Sequence, residues 1–573
     1  MRKGAFFSMA AFSVAALLAF RFMAEPKQVV LNTAQYKIKK AISCRPDWKD
    51  LNTWIEESDI PPIPGAGNYQ WKISTRSDSA QFYFNQGINM YYGFHIIEAM
   101  ASFKKAERFD PSCAMLYWAQ ALGYGPNIND FGYRASPEAL AAVNKANELS
   151  GNASAFEKAL IHAMSVRYTA DSTDVTRTQL NQVYSDAMKK LQDKFGSLAD
   201  AQALYADAMM LQHPWDLWNT DGTPKSWTPL IRSTLEKLLA KFPDHPGANH
   251  YYVHVMEPSP YASLALPSAN RLGVTNPGLS HLVHMPSHIY LRTGNYAKGV
   301  EVNITAVKSY QRTIPLYAPV TGADFLYNIH NLHMKTNNAM MMGSYSIADA
   351  AAQETKNAVP ADYLSAPAPM GSYMQYLSMT QLFVYIRFEK WDELLKLKQP
   401  AVPEIYAGLL YHFGRGMAFS ARQKFDEAGK ELDQLRELMK DSSLLVPLTP
   451  FSPAIEGARV AEQLLLGAIH LDRKLYDGAI RHFKQADSIE ANMVYNEPRD
   501  WLLNPKHFLG DAYLQKGDAV NAEKVFRKDL LYNNENGWAL RGLYQSLLAQ
   551  NRKAEALRVN ARWRKAFEKA DEK

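Results

Sequence analysis

The sequence predicts an all-α chain, a right-handed solenoid of antiparallel helix pairs, on three observations. Helical periodicity runs almost unbroken from residue 77 to residue 573. Small residues, aromatics and helix-ending prolines return along it at fixed offsets, and His250 and His254 recur 34 residues later as His284 and His288. Each helix pair of such a repeat has an apolar face that only a neighbouring pair can cover, so the units must stack.

The composition of the 573 residues, 47% hydrophobic and 21% charged, excludes a disordered or low-complexity chain. The net charge of +6 is small for this length, and Lys and Arg are interspersed with Asp and Glu, so nucleic acid is not an expected partner. Residues 1–24 read as a signal peptide or an N-terminal anchor. Arg2 and Lys3 precede an uncharged stretch from Gly4 to Phe20, short for a membrane span and suited to the apolar region of a signal peptide. The poor small-x-small pattern around Arg21-Phe22-Met23-Ala24 keeps an uncleaved anchor as the alternative, and as the one route to a membrane. In either case export is expected, to the periplasm or cell envelope. Cys44 and Cys113 are the two thiols, and a single pair cannot staple a chain this large, which excludes a disulfide framework.

The elements follow in order. Residues 25–76 form a lead-in containing Pro46, Pro61, Pro62 and Pro64. The first clear unit lies in residues 79–111, with Gly87, Ala99, Phe103, Ala106 and Pro111 in one register. Antiparallel helices approach closely only where small residues face each other, and the proline ends the second helix. The pattern returns with Gly467, Ala479, Phe483 and Ala486, then with Gly510, Tyr513, Ala522 and Phe526, and more loosely at Ala556. Weaker copies surround Trp391 and Leu394, and Gly416 with Ala428. Gly, Pro, Asn and Asp interrupt the period in residues 219–227, 357–372 and 492–505.

These landmarks resemble tetratricopeptide repeats across nearly all of residues 77–573. The chain also resembles a narrower group of exported bacterial tetratricopeptide proteins through Phe84-Asn85-Gln86-Gly87, Asp110-Pro111-Ser112-Cys113-Ala114-Met115, Gly125-Pro126-Asn127 and His284-Met285-Pro286-Ser287-His288. It departs from that group at Phe94-His95-Ile96, where Phe-Asn-His is expected. In tetratricopeptide arrays, positions two, five, nine, twelve and thirteen of the first helix line the concave groove. The resemblance therefore implies a groove lined by His250 and His254, by His281, His284 and His288, and by His330 and His333 of three successive units within residues 245–340. Glu257 joins them at position twelve, and Tyr91 and Tyr92 of the first unit read as binding surface.

Separations of three, four and seven residues keep side chains on one helix face, and axes about 8–10 Å apart let imidazoles from two helices reach one ion. The expected cofactor is a divalent transition metal. Histidines with one carboxylate suit zinc, copper or iron, and the lack of neighbouring Cys argues against a thiolate zinc finger or a blue-copper centre. Glu257, with Asp324 as the alternative, is the candidate catalytic proton acceptor for a metal-bound water. Pro286 removes a hydrogen bond within its helix, which then begins near Met285 and puts His281 on the preceding loop. Trp215 and Trp218 form an aromatic surface able to floor the groove and stack a ligand. No phosphate-binding glycine loop, nucleophile elbow or Cys-x-x-Cys occurs. Three functions stay open: a metal-dependent enzyme, a metal-binding or carrier protein, and a scaffold that grips a peptide or protein in its groove.

Overall fold

The computed structural model describes residues 48–571 apart from 131–132, 134–136, 172 and 318–323. The segment read as a signal peptide or anchor, and Cys44, lie outside the described residues. Among the described residues the secondary structure is helical, with one isolated bridge between Trp218 and Pro224 in an interrupting loop. No described helix is long and apolar enough to cross a membrane.

The architecture is all-α and of tetratricopeptide type, and one packing device recurs in it. Helices Asp78–Tyr92 and Ile96–Phe109 form the first pair. A methyl carbon placed on Gly87 would stand 2.4 Å from the buried Phe103 ring, so only glycine lets the aromatic seat against the facing helix. The same contact joins Gly467 to Phe483 at 2.3 Å, in Ala454–Asp472 with Tyr476–Asn492, and Gly510 to Phe526 at 2.3 Å, in Pro505–Lys516 with Ala519–Tyr532. Each pair also turns alike. Phe94, Gln423, Lys474 and Gly517 have φ of 57°, 58°, 62° and 86°, each seven residues after Gly87, Gly416, Gly467 and Gly510. A left-handed residue after a helix satisfies its last carbonyls and reverses the chain, a cost of about 1 kcal/mol where the residue is not glycine.

The histidine units share this register. Gly294 and Gly343 have φ of 76° and 80°, and His281 and His330 each stand thirteen residues before them. The lead-in packs into the fold. Trp48, Leu51 and Ile55 are buried, Gly278 N–H donates to the Gly65 carbonyl (2.8 Å), and Gln86 accepts from the Ile63 N–H (2.8 Å).

Contacts also join distant units. Tyr296 donates to the Asn534 carbonyl (2.8 Å), Trp538 to the Met340 carbonyl (2.9 Å), and Ser344 to Asp571 (2.8 Å). The interruption at residues 492–505 thus lies against the histidine units, and Tyr495 reaches Glu257, 238 residues earlier, at 2.8 Å.

Candidate metal centre

His250 and His254 stand one turn apart on the helix Pro246–Met256. His281 and His284 lie on Ser280–His284, His288 on Pro286–Arg292 and His330 on Asp324–Met342. Met285, between the two middle helices, keeps helical angles (φ −49°, ψ −36°) and its N–H donates to His281 O at 3.0 Å. Pro286 therefore changes the hydrogen bonding without turning the chain, and His281 is helical rather than on a loop. One face runs on through His281, His284, His288 and Arg292.

The ring nitrogens gather into two sets of three. In the first, His250 Nε2 is 3.1 Å from His254 Nε2 and 3.2 Å from His281 Nε2. In the second, His288 Nε2 is 2.7 Å from His284 Nε2 and 3.5 Å from His330 Nε2. The sets are side by side: the His254 and His288 rings are 6.2 Å apart, and those of His281 and His284 5.9 Å.

Acceptors on the far side of the rings fix four of the six tautomers. His250 Nδ1 is 2.6 Å from the Tyr92 carbonyl, which can only accept. His284 Nδ1 is 2.6 Å from Asn303 Oδ1, and the Asn303 amide is itself oriented by donating to Gly299 O. Glu257 joins the sets, accepting from His254 Nδ1 through one oxygen (2.8 Å) and from His288 Nδ1 through the other (2.7 Å). Burial would raise the Glu257 carboxyl, but His288 and the hydrogen bonds from His254 and His288 outweigh it and hold it well below the usual range. With Nδ1 carrying the proton, each of these rings, while neutral, aims an Nε2 lone pair at its neighbour. Paired lone pairs at about 3 Å repel unless a cation sits between them.

A proton is favoured at His288. Burial, reinforced by the neighbouring imidazoles, lowers His250, His281, His284 and His330 well below the ordinary histidine value. His288 is raised, because Glu257 and Glu497 outweigh its burial. Glu497 is pushed well above the carboxylate range by burial and by Glu257; it lies 3.4 Å from His330 Nε2 and from His254 Nδ1.

The expected groove is covered here. His250 and His284 are 0% exposed and His254, His281 and His288 no more than 4%. The Phe94 ring, turned in by its left-handed backbone, lies 4.4 Å from His250 and 5.9 Å from His281, while Tyr327 lies 4.6 Å from His281 and Trp215 stands edge-on 5.3 Å from His254. His333 brings neither nitrogen to the sets: both lack hydrogen-bond partners, the ring faces Tyr376, and burial pushes it down to about 3. Glu257, expected to take a proton from a metal-bound water, has its oxygens engaged by two imidazoles and the Tyr495 hydroxyl, which makes it an orienting group. The Asp324 side chain lies outside the described residues.

Tyr91 and Tyr92 are interior residues instead of binding surface, donating to Asp207 (3.2 Å) and Asp200 (2.7 Å). Trp215 and Trp218 do line a cavity, of ≈ 610 Å³, together with Arg292, Tyr495 and Arg499. Sequence reasoning missed Glu497, Tyr495 and Asn303; the first two belong to the interruption at residues 492–505, where no period marks a role.

No family model matches the chain, nor does any curated protein. Solved structures to which it is similar include a human IFIT1 dimer with m7Gppp-AAAA (12% identity over 87% of this chain and 92% of that one, TM-score 0.31). Yeast Tom70 (12%, 83% and 90%, 0.28) and the P58(IPK) TPR domain (10%, 83% and 99%, 0.21) are others. The all-α, tetratricopeptide-type architecture rests instead on the recurring glycine–phenylalanine contacts and left-handed turns of the chain itself.

Proposed function

We propose that this is an exported tetratricopeptide-type protein of the periplasm or cell envelope that binds two transition-metal ions, one on His250, His254 and His281 and one on His284, His288 and His330, and acts as a metal-dependent enzyme. The observation that carries the reading is the opposed Nε2 lone pairs of His250 and His254, 3.1 Å apart and fixed by Nδ1 donation to Tyr92 and Glu257, with His284 and His288 oriented in the same way by Asn303 and Glu257. Two nitrogens about 2.0–2.1 Å from one ion at a near-tetrahedral angle are about 3.3 Å apart, close to the 3.1 and 3.2 Å of the first set. Three imidazoles leave a fourth position, where a bound metal supplies Lewis acidity or, for copper or iron, electrons. A purely imidazole donor set favours copper or zinc over iron(II), which prefers a carboxylate among its ligands.

Burial favours this reading over the two others. A scaffold presents its groove to a peptide, and a carrier exposes ligands for transfer, whereas the first set lies against Phe94, Trp215 and Tyr327, and five of the six rings are buried, with His330 partly exposed, beside a cavity of small-molecule size. The test is metal content of protein purified without a His tag and incubated with zinc, copper or iron(II). The wild type retains two ions per chain, His250→Ala and His284→Ala lose one each, and His333→Ala loses none. Equal retention in all three variants rejects the assignment.

A further inference from the structure

The face that carries His284 and His288 continues one turn further to Arg292, about 6 Å along the axis. Arg292 is 8% exposed and lines the ≈ 610 Å³ cavity, where its guanidinium lies 6.0 Å from the Tyr532 ring and makes no ion pair with a described carboxylate. Its Nε has no hydrogen-bond partner and one Nη makes a long 3.4 Å contact with Ser259 O. Among the described residues no carboxylate lies within ion-pair distance of it.

Three of the four other cations that line the cavity are committed. Lys225 pairs with Asp216 at 3.0 Å, Arg499 with Glu490 at 2.9 Å and Lys506 with Asp487 at 2.5 Å, while Lys528 is exposed. A buried guanidinium without an anion is costly, and its planar fork matches a carboxylate in two parallel hydrogen bonds. Trp215 and Trp218 supply aromatic faces on the same cavity, and both indole N–H groups are already taken, by Asn129 (3.2 Å) and the Val255 carbonyl (2.7 Å), so their contribution to a ligand is ring surface. Tyr495 lines the cavity and donates to Glu257, which joins this space to the histidine sets.

We propose that the cavity binds a small aromatic carboxylate, its acidic group on Arg292 and its ring against Trp215 and Trp218. Binding stands on the geometry of Arg292 alone; that this ligand is the substrate rests on the metal-centre reading above. A carboxylate on Arg292 sits one helical turn beyond His288, and a ligand without the charge forgoes the paired hydrogen bonds of the guanidinium.

The test uses the full chain, as purified and after chelation, with benzoate, benzamide and phenyl phosphate as probes, binding being read by calorimetry and by tryptophan fluorescence. Benzoate binds at least tenfold more tightly than benzamide and more tightly than phenyl phosphate. Arg292→Gln removes the preference for benzoate over benzamide, and Arg292→Lys retains part of it. Equal binding of benzoate and benzamide by the wild type overturns the inference, as does an unchanged preference in a folded Arg292→Gln; tighter phenyl phosphate overturns the assignment of the acid. If Arg292→Gln does not fold, the wild-type comparison and Arg292→Lys decide. Metal content is measured on every sample. Benzoate selectivity in protein that holds no metal upholds the anion site while the metal reading fails, and two bound ions without selectivity do the reverse.

Discussion

Glu257→Gln separates the two histidine sets from the packing that holds them. The glutamate receives three donors, the Nδ1–H groups of His254 and His288 at 2.8 and 2.7 Å and the Tyr495 hydroxyl at 2.8 Å. Glutamine has the same size but only one acceptor oxygen, so its NH2 must oppose one of the imidazole N–H groups. That ring can escape only by moving its proton to Nε2, which removes the lone pair it offers its set. One of the two sets therefore keeps two donors instead of three. Loss of an orienting partner lowers metal affinity roughly 10–100-fold, and a strained buried polar contact costs about 1–3 kcal/mol of folding stability. Competition titration against a chelator of known affinity should find one site near wild-type strength and one weakened by that factor. Tyr495→Phe removes one donor without disturbing either tautomer, and should weaken both sites only slightly. Two sites of wild-type affinity in a folded Glu257→Gln would refute the reasoning, because the tautomers would then not depend on the carboxylate.

The same geometry sets three further expectations. Gly467→Ala forces a methyl to within 2.3 Å of the Phe483 ring and should lower stability by about 1–3 kcal/mol in thermal unfolding, with metal stoichiometry unchanged. His333 has a folded pKa of about 3 against 6.5 unfolded, so its contribution is nil above pH 6.5 and destabilising as pH falls toward 3; His333→Leu should shift acid unfolding of the metal-free protein to lower pH, since the wild type loses about a factor of ten in its folding constant per pH unit in that window. Metal should raise the melting temperature, and chelation should speed amide exchange in residues 492–505 as well as around the histidines, because Tyr495 and Glu497 close on the centre.

The repeat architecture was legible because a glycine against a phenylalanine needs a fixed offset, and Gly87, Gly467 and Gly510 carry it. The histidine columns were legible for the same reason, since a recurring spacing returns side chains to equivalent places on stacked helices. Their division into two sets was not, because it depends on which ring nitrogen each acceptor engages. Tyr91 and Tyr92 were misread since the aspartates that hold them, Asp207 and Asp200, come from another helix more than a hundred residues on. Glu497 and Tyr495 were invisible because an aperiodic loop delivers them across long-range contacts. Arg292 occupies the next turn of the histidine face, yet nothing in its spacing marks that its Nε is left without a partner.

Anomalous scattering from crystals of the metal-loaded protein tests the central claim most directly. Two peaks are predicted, one about 2.0–2.1 Å from Nε2 of His250, His254 and His281, the other equally placed against His284, His288 and His330. A single peak among His254 Nδ1, Glu257 and Glu497, the third grouping of donors among the described residues, or no peak at these histidines, would contradict it.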